Sequence, residues 1–173
     1  DRVVKEWTEG SFKTNLDDSV IGLLFLNLFG TCTTTPNSPE SGVNSHVFTV
    51  QQGHQHQSLT LFKKDDIEDL KFPLTMLTSF DLEAVPGEYA TSSFGFRAKK
   101  QATATTTPAY TAKNLFAGCD TVIKFANDLT GLAAASNIKA KSIKFSYNPN
   151  VEDSDILGIK EVDDMFNKRP EIT

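Results

Sequence analysis

The chain has 173 residues and a mass of 19.0 kDa, which suits one compact domain and is marginal for two. Hydrophobic residues make up 39% and charged residues 23%, which is the composition of neither a disordered nor a membrane-embedded chain. The formal net charge is −5, and residues 149–173 alone carry a net charge of −4. No basic patch is present to neutralise phosphates, so tight sequence-specific nucleic-acid binding is disfavoured.

The first two predicted elements are a weak strand over residues 11–14 and a helix over residues 18–29. Asp17 or Asp18 can cap the helix, and Gly30 stands where a left-handed C-terminal residue is favoured. The helix is apolar nearly all round, which is typical of a helix buried between layers or against a neighbouring subunit. The longest apolar run of the chain lies within it and is too short to cross a bilayer, so no membrane partner is expected. Its candidate buried or subunit-contact residues are Leu24, Phe25 and Leu28.

The next segments are predicted from a β pattern, because 13 phenylalanines and 19 threonines recur in short alternating runs. A polar loop is expected over residues 31–44. Strands are expected over residues 45–50 and 58–63. These two strands flank the polar residues 53–56, a pattern that predicts a β-hairpin.

A second hairpin is predicted from an alternating strand over residues 74–83, a Pro86-Gly87 turn and a returning strand over residues 89–98. Because adjacent side chains on a strand point to opposite sides, residues 74–83 present two faces. One face carries Met76, Thr78, Phe80 and Leu82, and the other carries Leu77, Ser79, Asp81 and Glu83.

The second half of the chain is less regular. A polar linker is predicted over about 99–113, and a short helix over residues 128–135 is expected to join strands at 121–126 and 138–147. An acidic loop is predicted over about 148–168. The last residues look like the opening of another strand, so residues 1–173 are interpreted as one domain that is a fragment of a longer chain.

Catalytic and metal-binding motifs are not found, and we predict that the chain is not an enzyme and has no cofactor. His54 and His56 have the spacing of two metal ligands on a strand but lack a third ligand nearby, so two solvated turn histidines without a structural metal are predicted. Cys32 and Cys119 are expected to be reduced, partly buried thiols, although they could pair in an oxidising compartment.

The order of these segments resembles that of the tail tube, or major tail, proteins of bacteriophages with long, flexible, non-contractile tails. The resemblance is a pattern of segments from Gly10 onward, without a single diagnostic motif. The segments that carry it are the strand at 10–13, the helix at 19–24, the small-residue break at 28–34, the strands at 46–50, 58–64, 72–82 and 89–99, and the later stretches 129–135, 141–148, 150–152 and 162–173.

The resemblance implies an antiparallel β-sandwich or split barrel flanked by one main α-helix. It also implies a structural virion protein whose copies form hexameric rings, and rings that stack into a channel for DNA ejection. The implied partners are copies of the chain, other tail proteins and DNA in transient, non-specific passage. The protein would be assembled in the cytoplasm of the bacterial host, from a phage or prophage genome, and would end in the phage tail.

Within this resemblance, the hairpin over residues 74–98 is the candidate channel lining. Its lumen-facing candidates are Ser79, Asp81 and Glu83, with an ordinary solvated outer face as the alternative. Two other functions compete with the tube. One is a β-rich adhesion, receptor-binding or capsid-decoration module, and the other is a small-molecule β-barrel with His54 and His56 near its mouth.

Overall fold

The computed structural model describes residues 4–38, 42–51, 56–105, 107, 109, 112–128 and 130–173. These residues form one α-helix and a set of antiparallel strands, which confirms the predicted mainly β class. In the described part of the chain, no helix is long and apolar enough to cross a membrane. In chain order the elements are β1 (Thr8–Asn15), α1 (Ile21–Phe29), β2 (Gly30–Pro36), β3 (Asn44–Val50), β4 (Leu59–Lys63), β5 (Leu70–Ala84), β6 (Thr91–Ala98), β7 (Ala102–Thr103), a 3₁₀ turn (Gly118–Asp120), β8 (Ile143–Asn148), β9 (Val151–Ser154), β10 (Asp164–Asn167) and β11 (Glu171–Ile172).

The main sheet is built around the long strand β5. Its second half lies at the centre of the order β1-β6-β5-β8-β11, whereas its first half pairs with β4 and β7. Between the two halves lie Pro73, which has no amide hydrogen, and Leu74, which has a positive φ of 49°. The strands that the structure describes do not close into a barrel.

The predicted hairpin of β5 and β6 is confirmed. The Glu88 amide donates to the Val85 carbonyl oxygen at 3.3 Å, and Gly87 takes the positive φ of 88° that this turn requires. Antiparallel pairing then runs from Glu83 opposite Thr91 to Met76 opposite Arg97.

The predicted alternation of β5 is wrong at one point, because the register shifts between Leu77 and Ser79. A β-bulge adds one residue to a strand and so reverses which side the residues before it face. Leu77 therefore joins Phe80 in the main core, although it was predicted on the opposite face. Met76 instead packs with Val162 and Met165 in a second cluster.

The main core lies between α1 and the second half of β5. Its buried residues are drawn from four elements, and its aromatic rings follow the strand pairing across the sheet. Phe12 lies opposite Phe94, Phe94 opposite Phe80, and Phe80 opposite Tyr147. The ring centroids are 5.2 Å apart for Phe12 and Phe94 and 5.1 Å apart for Phe80 and Phe94, so stacked rings join three strands. On the fourth strand, β8, the Phe145 ring lies 6.1 Å from that of Phe80.

The predicted hairpin of residues 45–50 and 58–63 is wrong. β3 pairs with β2, from Gly30 opposite Val50 to Pro36 opposite Asn44, and β4 pairs with β5. The polar loop predicted over residues 31–44 is therefore wrong over residues 31–36, which lie in β2, where the β-branched threonines favour an extended backbone. The resulting two-stranded ribbon packs against α1, where Phe48 meets Phe25 with ring centroids 5.6 Å apart.

The predicted helix over residues 128–135 is also wrong. Its described residues form hydrogen-bonded turns, with the Asp128 carboxylate accepting from the Gly131 amide at 2.7 Å. The segment is short, contains a glycine and is mostly exposed, so little tertiary packing offsets the cost of helix nucleation. The predicted strand over 121–126 is reduced to a bridge between Ile123 and Ile138.

Two strands, β9 and β10, lie within the stretch predicted as an acidic loop. They pair from Asp164 opposite Ser154 to Asn167 opposite Val151. The sequence pattern did not reveal these strands, because few apolar residues of this stretch are buried; Val162 and Met165 are, and both pack on Met76.

A buried polar group joins α1 to β5 and to the chain before β4. The Asn27 side chain donates to the carbonyl oxygens of Gln57 at 2.6 Å and Thr75 at 3.3 Å, and accepts from the Leu77 amide at 2.8 Å. His56 is 3% exposed, and its ring nitrogens lie 3.0 Å from the Asn27 carbonyl oxygen and 2.8 Å from that of Gln51. The prediction of a solvated His56 is therefore wrong, since its ring is buried and has a backbone carbonyl acceptor within hydrogen-bond distance.

Candidate functional site: the polar face of the main sheet

The side of the main sheet that faces away from α1 is lined by polar residues from four adjacent strands. We call this surface the polar face. Strand pairing places its side chains in rows across the sheet, because directly paired residues point to the same side. Its members are Ser11, Lys13 and Asn15 of β1, Thr91, Ser93 and Gly95 of β6, Ser79, Asp81 and Glu83 of β5, and Lys144, Ser146 and Asn148 of β8.

Asp81 lies in the central row of the polar face, opposite Ser93 on one side and Ser146 on the other. The Ser146 hydroxyl donates to its carboxylate at 2.5 Å. Asp81 is half-buried by these neighbours, and its carboxylate is held in a fixed position on the face.

The bulge of β5 is part of the same surface. The Gly95 amide donates to the Ser79 hydroxyl oxygen at 3.1 Å. A Cβ at Gly95 would lie 2.6 Å from that oxygen and 3.0 Å from the Thr78 hydroxyl oxygen, so a larger residue here would force these side chains to move.

The polar face carries two acids and two lysines, so their charges balance. The two lysines were not predicted from the sequence. Asp81 and Glu83 were selected as its charges, but pairing adds Lys13 in the row of Asp81 and Lys144 opposite Glu83. The signal was available, because each lysine stands beside a phenylalanine, Phe12 or Phe145, that packs on the core side. Opposite charges on paired strands favour this register.

The three lumen-facing candidates are brought together by the structure. Ser79, Asp81 and Glu83 share the polar face, and Phe80 and Leu82 between them contact the main core. Phe80 is 3% exposed, so the register of this half of β5 is the one predicted. Which environment the polar face meets in an assembly stays a prediction.

The three helix candidates lie on the opposite side of the sheet. Leu24 and Leu28 are buried and Phe25 is half-buried, in contact with Phe80 at a ring-centroid distance of 5.4 Å. Burial is one-sided, however, because Val20 and Leu23 are about half exposed. A contact of this helix with another subunit stays a prediction.

The entry to α1 is fixed by Asp17. Its carboxylate accepts from the Ser19 hydroxyl at 2.5 Å and the Ser19 amide at 3.0 Å, and it lies 3.1 Å from the Lys113 ammonium. The Ser19 bonds, followed by Lys113, lower the pKa of Asp17 from 3.8 to about 2. The predicted helix start at 18 is three residues early, because Asp17 caps the turn that precedes the helix.

Metal chemistry has no support in the described residues, where no group of three or more histidine, cysteine or acidic side chains could hold an ion. His54 lies outside these residues. Cys32 is half-buried and Cys119 is exposed, and both are free thiols. The prediction of partly buried thiols therefore fits Cys32 but not Cys119.

The candidate site also includes the two edges of the sheet that run parallel to its strands. β1 and β11 end the strand order, and among the described strands β1 pairs with β6 alone. An edge strand presents unpaired amides and carbonyl groups to which a strand of another chain can be added.

The chain was compared with protein-family models and with curated proteins. The family model for the phage tail tube protein matches residues 1–173, the whole chain. A search of curated proteins finds no match. Proteins of this family are structural components of the virion that associate with copies of themselves and with other tail proteins. The chain belongs to the phage tail tube protein family.

Proposed function

We propose that this chain is the subunit of a phage tail tube in which six copies form a ring and stacked rings form a channel for DNA. The polar face lines the channel, and α1 lies on the outer side of the sheet. Neighbouring copies join laterally through the β1 edge of one and the β8–β11 edge of the next. Assembly takes place in the cytoplasm of the bacterial host, before the tail joins a virion of the long, non-contractile type.

The observation that carries this proposal is the two-sided character of the sheet. Its α1 side is filled by aromatic and aliphatic residues such as Phe80 and Leu28, whereas its other side exposes hydroxyl, amide and balanced charged groups. A channel wall of zero net charge has no excess of cations to trap phosphates, which supports passage of DNA without adhesion.

The dimensions of a closed ring support the same arrangement. Four strands per copy, β1, β6, β5 and β8, give 24 strands in a hexamer, since the two-residue β11 covers only the end of β8. At about 4.8 Å between strands the circumference is roughly 115 Å and the backbone diameter about 37 Å, and strand tilt widens it further. A channel of this width leaves room for duplex DNA after the side chains that line it are taken into account.

The test replaces the two acids of the polar face by lysine, Asp81→Lys with Glu83→Lys. With Lys13 and Lys144 retained, the face changes from balanced to a net charge of +4 per copy. We expect tubes of normal length, because the substitutions point away from the core. We expect DNA ejection from virions that carry the variant to slow or stall, because a cationic wall holds the phosphate backbone.

The matched control places the same charge change off the face, as Asp66→Lys with Glu68→Lys in the exposed connection between β4 and β5. Ejection should then be unchanged. Raising the salt concentration should restore part of the ejection rate of the polar-face variant. The screening length shortens from about 8 Å at physiological salt to about 3 Å at 1 M, which weakens the attraction between lysines and phosphates. Normal ejection from polar-face variant virions at low salt contradicts the lumen assignment.

A further inference from the structure

A weakly packed arm projects from one end of the main sheet. We call residues 121–128 and 130–142 the basic arm, since it carries Lys124, Lys139 and Lys141 against one acid, Asp128. Several of its hydrogen bonds join parts of the arm to each other, as from the Lys124 ammonium to the Ala133 carbonyl oxygen at 3.1 Å and from the Ile138 amide to the Ile123 carbonyl oxygen at 2.8 Å. Several large apolar side chains remain exposed on it, namely Val122, Phe125, Leu132 and Ile138, with Phe125 at 76%.

A second exposed segment has the opposite charge. We call residues 152–164 the acidic segment, since it carries six acids and one lysine. Three of these acids, Glu152, Asp153 and Asp155, form ion pairs with Lys5, Arg97 or Lys168. Glu161 and Asp163 are exposed. It also exposes three apolar side chains, Ile156, Leu157 and Ile159, of which Leu157 is fully exposed.

The two surfaces lie at opposite ends of the sheet. The basic arm begins beside Gly118, which packs on the Val85 carbonyl group, and ends at Ile143, which pairs with Ala84. The acidic segment is anchored at the other end, where Val162 packs with Met76. Met76 and Ala84 are eight residue steps apart along β5, which corresponds to at most about 26 Å at about 3.3 Å per residue. The points at which the two surfaces are anchored in one copy are therefore far apart.

We propose that the basic arm of one copy docks on the acidic segment of the next copy, end to end along the strand direction. The occupant is a second copy because both surfaces combine exposed apolar residues with opposite charges, and one chain carries both. Burial of the apolar residues supplies the attraction, and the charges select the orientation and exclude arm-to-arm contacts. A contact between two different surfaces repeats along a stack as long as it does not close into a ring. This inference rests on the proposed function and identifies the contact that stacks one ring on the next.

The test reverses the charge of each surface separately and then of both. One variant carries Lys139→Glu with Lys141→Glu, and another carries Glu161→Lys with Asp163→Lys. Each should keep the thermal unfolding midpoint of the wild type and form rings, but at least tenfold fewer stacked rings in negative-stain images. The chain with all four substitutions restores opposite charges across the contact and should stack again.

Two further variants address the apolar part of the contact, and one addresses net charge. Phe125→Ser and Leu157→Ser remove exposed side chains, so the fold should be kept and stacking reduced. Lys63→Glu with Lys71→Glu, on β4 and β5, changes net charge as much as the arm variant does but lies outside both surfaces. This control should stack like the wild type.

The outcomes separate the two proposals. Stacking by either two-substitution variant at the wild-type level overturns the docking contact and leaves the tube intact. A folded four-substitution chain that forms rings but does not stack overturns it equally. A wild-type chain that forms neither rings nor stacks contradicts the proposed function, and the docking contact with it.

Discussion

At the scale of single residues, Asp17 connects the helix entry to the loop that carries Lys113. Its folded pKa of about 2 lies below its ordinary value of 3.8, so its contribution to stability is present above pH 4 and is lost as the pH falls toward 2. The shift corresponds to a contribution of at most about 2 kcal/mol to the free energy of unfolding.

Replacement of this carboxylate tests that contribution. Asp17→Asn should lower the free energy of unfolding at pH 7 by roughly 1–2 kcal/mol, because a neutral amide accepts the Ser19 bonds less strongly and loses Lys113. Between pH 4 and pH 2 the difference from the wild type should shrink. Denaturant unfolding at both pH values measures it, with Asp66→Asn on an exposed loop as the control. A difference that is constant across this range contradicts the assignment.

Gly118 illustrates a close approach that no other residue allows. A Cβ there would lie 2.1 Å from the Val85 carbonyl oxygen, which belongs to the backbone and cannot rotate away. Gly118→Ala should therefore lower the free energy of unfolding by about 2 kcal/mol or more. Gly22→Ala is the control, because its Cβ would meet only the Phe48 ring at 3.8 Å and should stabilise α1 by up to about 1 kcal/mol. Equal thermal midpoints for the two variants would contradict this account.

At the scale of elements, α1 is buried against the core on one face and exposed on the other. Leu24 is 5% exposed and Leu23 is 54% exposed, although they are neighbours in an apolar run. Leu24→Asp should prevent soluble folding, because it buries a charge in a core of aromatic and aliphatic groups at a cost of several kcal/mol. Leu23→Asp should fold, with a loss below about 1 kcal/mol in the free energy of unfolding. A Leu24→Asp chain that folds and assembles like the wild type contradicts the role of this helix.

Elements could be predicted where a local signal agreed with the tertiary packing. The β5–β6 hairpin follows from the Pro86-Gly87 turn, and α1 follows from its apolar run and Gly30, whose φ is 94°. Pairing partners of β2 and β3 could not be predicted, because threonine runs favour strands without indicating a neighbour. The bulge at Leu77 was equally hidden, since it depends on contacts of Gly95 with Ser79 across the sheet.

At the scale of the whole molecule, the polar face was predicted in part. The alternation around Phe80 placed Ser79, Asp81 and Glu83 on one side of β5, but the lysines that balance them belong to β1 and β8. Their place on the face depends on the strand order of the sheet, which a single sequence does not specify. The proposed architecture, a ring of sheets with the polar face inward, is our interpretation of the family match and of the two-sided sheet.

A cryo-electron microscopy reconstruction of tubes assembled from this chain tests that architecture most directly. The account predicts six copies per ring, with Ser79, Asp81 and Glu83 directed into the channel and Leu24 and Leu28 on the outer side of the sheet. A reconstruction in which the polar face lies on the outside of the tube, or in which α1 lines the channel, would contradict it.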